Sequence, residues 1–555
     1  MSLNFLNHQT KRTGSAAVIL AVSYLISRVL GVARDWLLAK NFGAGQELDI
    51  YFAAFKIPDL VYNIFILGGV VAAFLPLFSE YYSKEKEKTW DFVSNFLNVF
   101  LFFLVCFSLI IFVFAPVLTK LILPGFNPEQ LSKTVFLTRL MLLSPIFFGI
   151  SSIFSGILQY FNRFLIYSFA PIIYNLSIIF GILFFSKSFG ILGVAVGVVL
   201  GALMHFLIQI PAAINSGFQY RPIFNLKDKK IKKTFLLMGP RIFGVSSLQI
   251  NAIIINAIAS TLAIGSISVF NFANNIRLFP IAIIGISLAT AVFPKLSKSW
   301  TSNDKRVFID NFSSAFRQIV YLIIPISILI FFLRNQIVGL ILKHGQFSDQ
   351  AAKLVAASIG LFCFGTLFAT LRPLFFRAFF SIKDTKTPTI LALIFVILNI
   401  WLSLFLIKAL QMPSYQNLHG FLVNKFSLHG ISDISVLAFP LAYLVSLSLE
   451  FSLFIIFLKK RIGDFRIKEI LSSFYKIILA GFLMIVLISF VFSNFESFFA
   501  NQTMKFMIYQ IVVIGLVGSL AYLFITNILG SPEIKSVKSL ISDKFLSRIH
   551  NYEQY

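Results

Sequence analysis

Three cations stand where an apolar sequence ought to hold none: Arg28, Arg34 and Lys56. A guanidinium presents a planar fork of N–H donors that matches a pair of phosphate or carboxylate oxygens. At 1.5 Å per residue Arg28 lies about 24 Å along a helix from Arg12, too deep to reach water cheaply. An arginine at mid-bilayer costs about 2.5–3.5 kcal/mol on insertion scales, so it needs a partner or a wet cavity. Asp35 is seven residues from Arg28 and shares nearly the same helix face, while Arg34 points about 120° round. Ser23, Ser27 and Gly31 follow at i, i+4 and i+8, a small-residue stripe that lets a second helix approach closely. Two chemistries fit: an ion-pair network that locks helices together, or an anion site built from two arginines beside a close-packed seam.

The next apolar stretch opens with Asp49 and carries Lys56-Ile57-Pro58-Asp59. Proline removes a backbone donor and frees a carbonyl, which membrane helices tolerate only where protein or water satisfies it. With Gly68 and Gly69 further along, Pro58 reads either as a packing kink or as a flexing gate that carries Lys56. A later stretch repeats the pattern, with Pro280 and Gly285 beside Asn274, Asn275 and Arg277. Glu450 lies inside another apolar run, where a carboxylate either carries a coupling ion or neutralises a neighbouring cation. Soluble catalysis has no visible machinery. Cys106 and Cys363 sit alone in apolar runs, the six histidines are scattered without metal-ligand spacing, and His205 and His344 read as packing residues. No Walker loop, nucleophile elbow or dinucleotide fingerprint is present, so neither metal nor cofactor is expected.

These side chains must be positioned by membrane helices. The 555 residues are 58% hydrophobic and 12% charged, about half the charged fraction of roughly 25% usual in soluble chains. A bilayer core of about 30 Å needs about 20 apolar residues, and by that measure the chain holds fourteen spans. With the N-terminus inside, 27 cations fall on inner segments and 10 on outer ones, which is the positive-inside pattern and places both termini in the cytoplasm. The net charge of +25 therefore records topology and gives no reason to expect nucleic acid.

Ala72-Ala73-Phe74-Leu75-Pro76-Leu77-Phe78-Ser79 returns as Thr290-Ala291-Val292-Phe293-Pro294-Lys295-Leu296-Ser297, an offset of 218. That offset covers six spans, an even number, so the halves are parallel repeats, an architecture that holds substrate between its halves. The expected organisation is all-α and polytopic: a cytoplasmic N-terminus (1–14), an N-lobe of six spans (15–214), a basic cytoplasmic loop (215–233), a C-lobe of six spans (234–458), a lipid-facing pair (459–529) and a cytoplasmic tail (530–555).

Ser27-Arg28-Val29-Leu30-Gly31-Val32-Ala33-Arg34-Asp35, Phe42-Gly43-Ala44-Gly45, Asp49 and Ala54-Phe55-Lys56-Ile57-Pro58-Asp59-Leu60 resemble the opening of the MurJ (MviN) family of lipid II flippases. Pro124-Gly125-Phe126, Asn162-Arg163-Phe164, Met238-Gly239-Pro240, Gly345 with Phe347, and Asp384-Thr385-Lys386-Thr387-Pro388 extend the likeness over about residues 15 to 530. The resemblance implies a fourteen-helix inner-membrane transporter, not an enzyme, moving undecaprenyl-pyrophosphate-linked disaccharide pentapeptide outward for peptidoglycan synthesis. It implies that Arg28 and Arg34 contact the pyrophosphate, with Ser27, Asp35, Asp49 and Lys56 in the same motif; Arg277, about 200° round the wheel from Asn275, replaces the family's second-half arginine only if the helix is irregular near Pro280. The partners implied are lipid II and membrane lipids, the protein acting as a monomer driven by a coupling ion or the membrane potential. The chain departs from the family pattern at Tyr62-Asn63 and Asn274-Asn275, where well-known members carry arginines, and around Pro413 to His429, a longer outer loop. Two neighbouring readings stay open on the residues alone: export of another undecaprenyl-linked glycan, and a drug or cation antiporter, which would want an acidic interior.

Overall fold

The computed structural model describes residues 13–494 and 503–534. Lys11, Arg12, Lys535, Lys538, Lys544 and Arg548 lie outside the described residues. The described chain is helical and contains no strand. In hydrocarbon the backbone must satisfy its own polar groups, and a helix does so within one segment.

In chain order the helices are α1 (Thr13–Phe42), α2 (residues 46–84, in four pieces), α3 (Lys86–Ile122), α4 (Pro128–Tyr160), α5 (Phe164–Phe189), α6 (Ile191–Ile214) and α7 (Lys229–Ser260). They continue as α8 (Ser266–Thr301), α9 (Lys305–Ile341), α10 (Asp349–Ser381), α11 (Lys386–Gln411), α12 (Ala438–Ile462), α13 (Ile467–Asn494) and α14 (Met504–Ile528). Among the described residues, eleven helices are long and apolar enough to cross a membrane. Outside that set stand three more of the helices expected to span: α1 with its charges, the broken α2, and α7, which begins in a run of lysines. The inserted stretch after α11 forms a short helix, Gln416–Phe426.

Two compact units divide the chain. One runs to Ser268 and adds His344–Ser348; the other takes Val269–Lys343 and continues from Asp349. Stacked phenylalanines fill the first, with Phe74 and Phe96 at 5.7 Å between ring centroids and Phe96 and Phe100 also at 5.7 Å. In the second, Phe375 stacks on Phe454 at 5.2 Å, and α14 is tied to α9 by Tyr321–Thr526 and by the Tyr522 hydroxyl on the Tyr321 carbonyl, both 3.0 Å. Offset and edge contacts of this kind add specificity to burial that lipid alone would not drive.

The pieces of α2 have identifiable causes. Pro58 cannot bond to the Ala54 carbonyl four residues back, and the buried Thr138 hydroxyl of α4 donates to that carbonyl at 3.2 Å. The carbonyl that Pro58 leaves open is therefore satisfied by packing. Beyond it, Asn63–Val70, which includes Gly68 and Gly69, winds as a wider π-helix. Among the described residues there are two more π-helices, Gly181–Phe185 within α5 and Ile281–Ile286 after Pro280 in α8. Asn63 and Ile281 are 218 residues apart, the same offset as the repeated sequences around Pro76 and Pro294. Such wide turns mark places where a helix stores irregularity, often at functional sites.

At one end of the first unit several connections meet backbone to backbone. Gln346 N–H donates to the Lys40 carbonyl at 3.0 Å. Gly43 has φ +64°, and a Cβ there would sit 2.5 Å from the Gln346 carbonyl oxygen. Gly125 lies against the Ser260 carbonyl, and a Cβ would come within 2.6 Å of Thr261 Cα. Glycine is needed at both positions for approach, and at Gly43 for conformation as well. At the other end Asn95 and Asn98 of α3 hold the loop before α7, donating to the carbonyls of Asn225 (3.1 Å) and Ile223 (2.9 Å), while Arg221 pairs with Asp91 at 2.6 Å. Between α10 and α11, burial works against ionisation of Asp384, but the Thr387 amide and hydroxyl and then Arg461 outweigh it and hold its carboxyl below the usual range. That clamp is at full strength above the ordinary Asp value of about 3.9 and weakens as pH falls through the lowered one.

Because the atoms facing Gly125 are backbone, Gly125→Ala should destabilise the purified protein by about 1–3 kcal/mol, read as a lower thermal midpoint in detergent. Gly420→Ala, at a site with nothing within 4 Å, should leave the midpoint unchanged or slightly raised.

Candidate functional site

The small-residue stripe of α1 meets α5. Ser168 donates to the Ser23 hydroxyl at 2.9 Å, and Asn175 Nδ2 reaches the Ser27 carbonyl and hydroxyl at 3.3 and 3.2 Å. Next on the same face, a Cβ at Gly31 would stand 4.0 Å from Asn175 Oδ1. Ser27 and Gly31 thus belong to the seam. This seam also orients Arg34, whose Nη1 donates to Asn175 Oδ1 at 3.4 Å.

Wheel geometry grouped Arg28 with Asp35, and the structure pairs Asp35 with Arg34 instead. Arg34 Nε and Nη2 both donate to Asp35 Oδ1, at 3.0 and 2.8 Å. Flexible side chains on adjacent residues can fold toward each other, which a count of 100° per residue does not register. Tyr51 of α2 and Tyr174 of α5 lie within electrostatic reach of Arg34, and Tyr174 packs its ring edge-on to Phe148 at 5.2 Å.

Arg28 points elsewhere. Its Nε and Nη2 converge on the Tyr24 hydroxyl at 3.0 and 2.8 Å, with the guanidinium 5.0 Å from the Tyr24 ring centroid. Among the described residues it forms no ion pair with a carboxylate. A cation backed by a tyrosine yet unneutralised is suited to an anionic ligand. Lys56 is half-buried on α2, one turn from Asp59, to which it is electrostatically coupled. Asp59 in turn lies within reach of Tyr174 and Tyr62.

Asp49 is engaged structurally. It is buried, and its two oxygens accept from Gly265 N–H (2.6 Å), Ser268 N–H (2.8 Å) and the Ser268 hydroxyl (2.6 Å). These are donors at the start of α8, so Asp49 caps that helix from outside and meets its positive end.

In the second unit Arg277 is clamped between aromatic faces, 4.0 Å from the Tyr443 centroid and 4.5 Å from that of Phe362. One nitrogen bonds to Asn274 Oδ1 at 2.5 Å, while Nε and Nη1 are buried without a hydrogen-bond partner. Pro280, at the close of this helical segment, leads into the π-helix. Glu450 is 1% exposed and pairs with Arg372 at 2.9 Å, so of its two sequence readings the structure displays neutralisation. His205 is not merely packed: its Nδ1 lies 2.7 Å from the Ser151 hydroxyl, in a chain with Gln209 and Ser155. Sequence reasoning left out Tyr24, Tyr51, Tyr174 and Asn175, and named Asp59 only within its motif. A signal existed for Asn175, which lies seven residues after Ser168 and so shares its helix face inside an apolar span.

Eleven long apolar helices among the described residues define a polytopic membrane protein, and Arg28 and Arg277 are among its cations that pair with no described carboxylate. The family model described as "Lipid II flippase MurJ" matches residues 38–510, and the chain belongs to that family. It is 31% identical over 392 residues to the probable lipid II flippase MurJ of Buchnera aphidicola subsp. Acyrthosiphon pisum, covering 70% of this chain and 77% of that one. A solved structure of lipid II flippase MurJ in an inward closed conformation superimposes with a TM-score of 0.72 at 25% identity, covering 92% of this chain and 98% of the other. An inward-facing MATE-family multidrug transporter of the MOP superfamily shares the fold, with a TM-score of 0.64 at 12% identity over 81% of this chain and 99% of that one.

Asp49→Asn must set an amide donor against one of the three donors it now accepts. The expected loss is about 1.5–3 kcal/mol, visible as a lower thermal midpoint. A headgroup ligand would behave oppositely, with unchanged stability and lost transport.

Proposed function

We propose that this chain is the lipid II flippase of its cell, translocating the undecaprenyl-pyrophosphate-linked disaccharide pentapeptide from the inner to the outer leaflet of the cytoplasmic membrane. It is a transporter and not an enzyme. The observation that carries the reading is Arg28, a cation within an apolar helix whose fork is held by the Tyr24 hydroxyl and which no described carboxylate neutralises. In this scheme Arg28 takes the pyrophosphate first. Arg34 follows by exchanging its bond to Asp35 for a phosphate oxygen, and Lys56, within electrostatic reach of Asp59, adds a further cation. Arg277, with two unbonded N–H groups between aromatic faces, serves as a second-half cation for the headgroup, where Asn274 and Asn275 replace the family's charged pair. Ser27 and Asp49 act by positioning: Ser27 holds the α1 seam and Asp49 the start of α8.

Fourteen spans, cytoplasmic termini and two parallel six-helix repeats complete the proposal. The charge asymmetry of the connections and the matching π-helices in α2 and α8 support it. Alternating access is driven through those π-helices, with Gly68, Gly69 and Pro280 absorbing the change in winding. The protein works as a monomer without a cofactor, and a coupling ion or the membrane potential supplies the bias.

The test is complementation of a bacterial strain depleted of its own lipid II flippase. The wild-type chain should restore growth, and Arg28→Lys, Arg34→Lys and Arg277→Lys should each lower plating by about 10-fold or more at equal membrane abundance, as loss of a charge-assisted fork implies. Growth supported by Arg28→Ala would remove Arg28 from the site.

A further inference from the structure

Away from the arginines, the first unit holds an open groove of about 630 Å³ bordered by α2, α3 and the start of α7. Phe65, Phe103, Cys106, Phe107 and Phe235 line it, and Lys232 is the one ionised residue of its wall. The aromatic walls are braced by one another, with Phe65 and Phe107 at 5.0 Å and Phe103 and Phe235 at 5.7 Å. A groove of this composition accepts a hydrocarbon chain and fixes its orientation by one polar group.

The lysines that open α7 are not equivalent. Lys233 pairs with Glu80 at 3.2 Å, and Lys230 lies over the Tyr81 ring at 4.8 Å. Lys232 is exposed, borders the groove, and forms no ion pair among the described residues. Lys227 and Lys229, also exposed, add positive charge at the same end of α7. Under the orientation proposed above this end meets the cytoplasmic leaflet, where anionic headgroups are drawn to juxtamembrane lysines.

We propose that this groove binds an anionic glycerophospholipid, one acyl chain lying along Phe103, Cys106 and Phe107 and the phosphate resting on Lys232. It is a site separate from the substrate arginines and does not depend on which lipid-linked glycan the protein moves. Charge complementarity selects the occupant, because a zwitterionic headgroup would gain little from an unpaired lysine. A lipid seated here bridges α3 and α7 beside the π-helical part of α2, so its occupancy would bear on the helix proposed to change its winding.

The experiment uses the full chain in nanodiscs containing diazirine-labelled phosphatidylglycerol or phosphatidylcholine with identical acyl chains. After irradiation, adducts on the α3 peptide spanning residues 103–110 are quantified by mass spectrometry. The wild type should be labelled about 5-fold more by phosphatidylglycerol, the advantage expected of one lysine at an anionic surface. Lys232→Gln should bring both lipids to the lower level, Lys232→Arg should keep the preference, and Leu236→Trp or Cys106→Trp should reduce labelling by both through filling the groove. Leu236 is 77% exposed, so its replacement tests occupancy without disturbing a packed core. Equal labelling of the wild type by the two lipids, or a preference that survives Lys232→Gln, would overturn the proposal. So would displacement of phosphatidylglycerol by undecaprenyl phosphate, which would hand the groove to the tail of the transported lipid.

Discussion

An ionised group inside hydrocarbon must find a partner, and the interior of this protein is organised around how each one does. Arg372 has Glu450, Arg34 has Asp35, and Arg317 lies 3.3 Å from Glu469. For Arg372 and Glu450, the most buried of these, the pair offsets a burial cost on the order of several kcal/mol per ion, whereas the exposed Glu469 remains screened by solvent. Arg28 and Arg277, like Arg139 and Arg334, have support that is aromatic and neutral: a tyrosine hydroxyl for Arg28, two ring faces and an amide for Arg277. Aromatic support steadies a guanidinium without cancelling its charge. A site for a pyrophosphate requires that combination, since a carboxylate already in place would compete with the ligand.

The same constraint explains why the motif extends beyond the cations. Arg34 is aimed by Asn175, Asn175 is aimed by the Ser27 seam, and the seam exists because Ser23, Ser27 and Gly31 let α1 and α5 approach. At the end of the helices, Asp49 and the glycines at 43 and 125 fasten connections from distant parts of the first unit. These residues look like site residues in sequence because they are polar or unusual. In the structure they fasten connections, Asp49 through its carboxylate and the two glycines through close backbone approach.

Much of this could be read from the chain before any coordinates. Helix class followed from apolar runs, the seam from small residues at four-residue spacing, and the second proline-marked helix from the 218-residue repeat. What could not be read depends on distance in space. Glu450 and Arg372 are 78 residues apart, and neither one announces the other. That Asp35 bonds to its chain neighbour Arg34 was not legible either, because rotation per residue ignores the reach of a long side chain. The π-helices were hidden for a different reason: Gly68-Gly69 and Pro280 signal a break, but the extra residue in a turn is decided by packing around it. Asp49 is a charge whose partners, two backbone amides and the Ser268 hydroxyl, no sequence pattern displays.

If an unneutralised Arg28 carries the lipid II headgroup across the membrane, its charged fork must be indispensable to transport. The most direct measurement is the leaflet distribution of lipid II in cells that rely on this chain alone, read as the fraction cleaved by a membrane-impermeant, lipid II-specific hydrolase added outside. Wild-type cells should expose lipid II to the hydrolase, and cells switched to Arg28→Lys at equal abundance should retain it inside, uncleaved. An unchanged cleaved fraction in the Arg28→Lys cells would contradict the account.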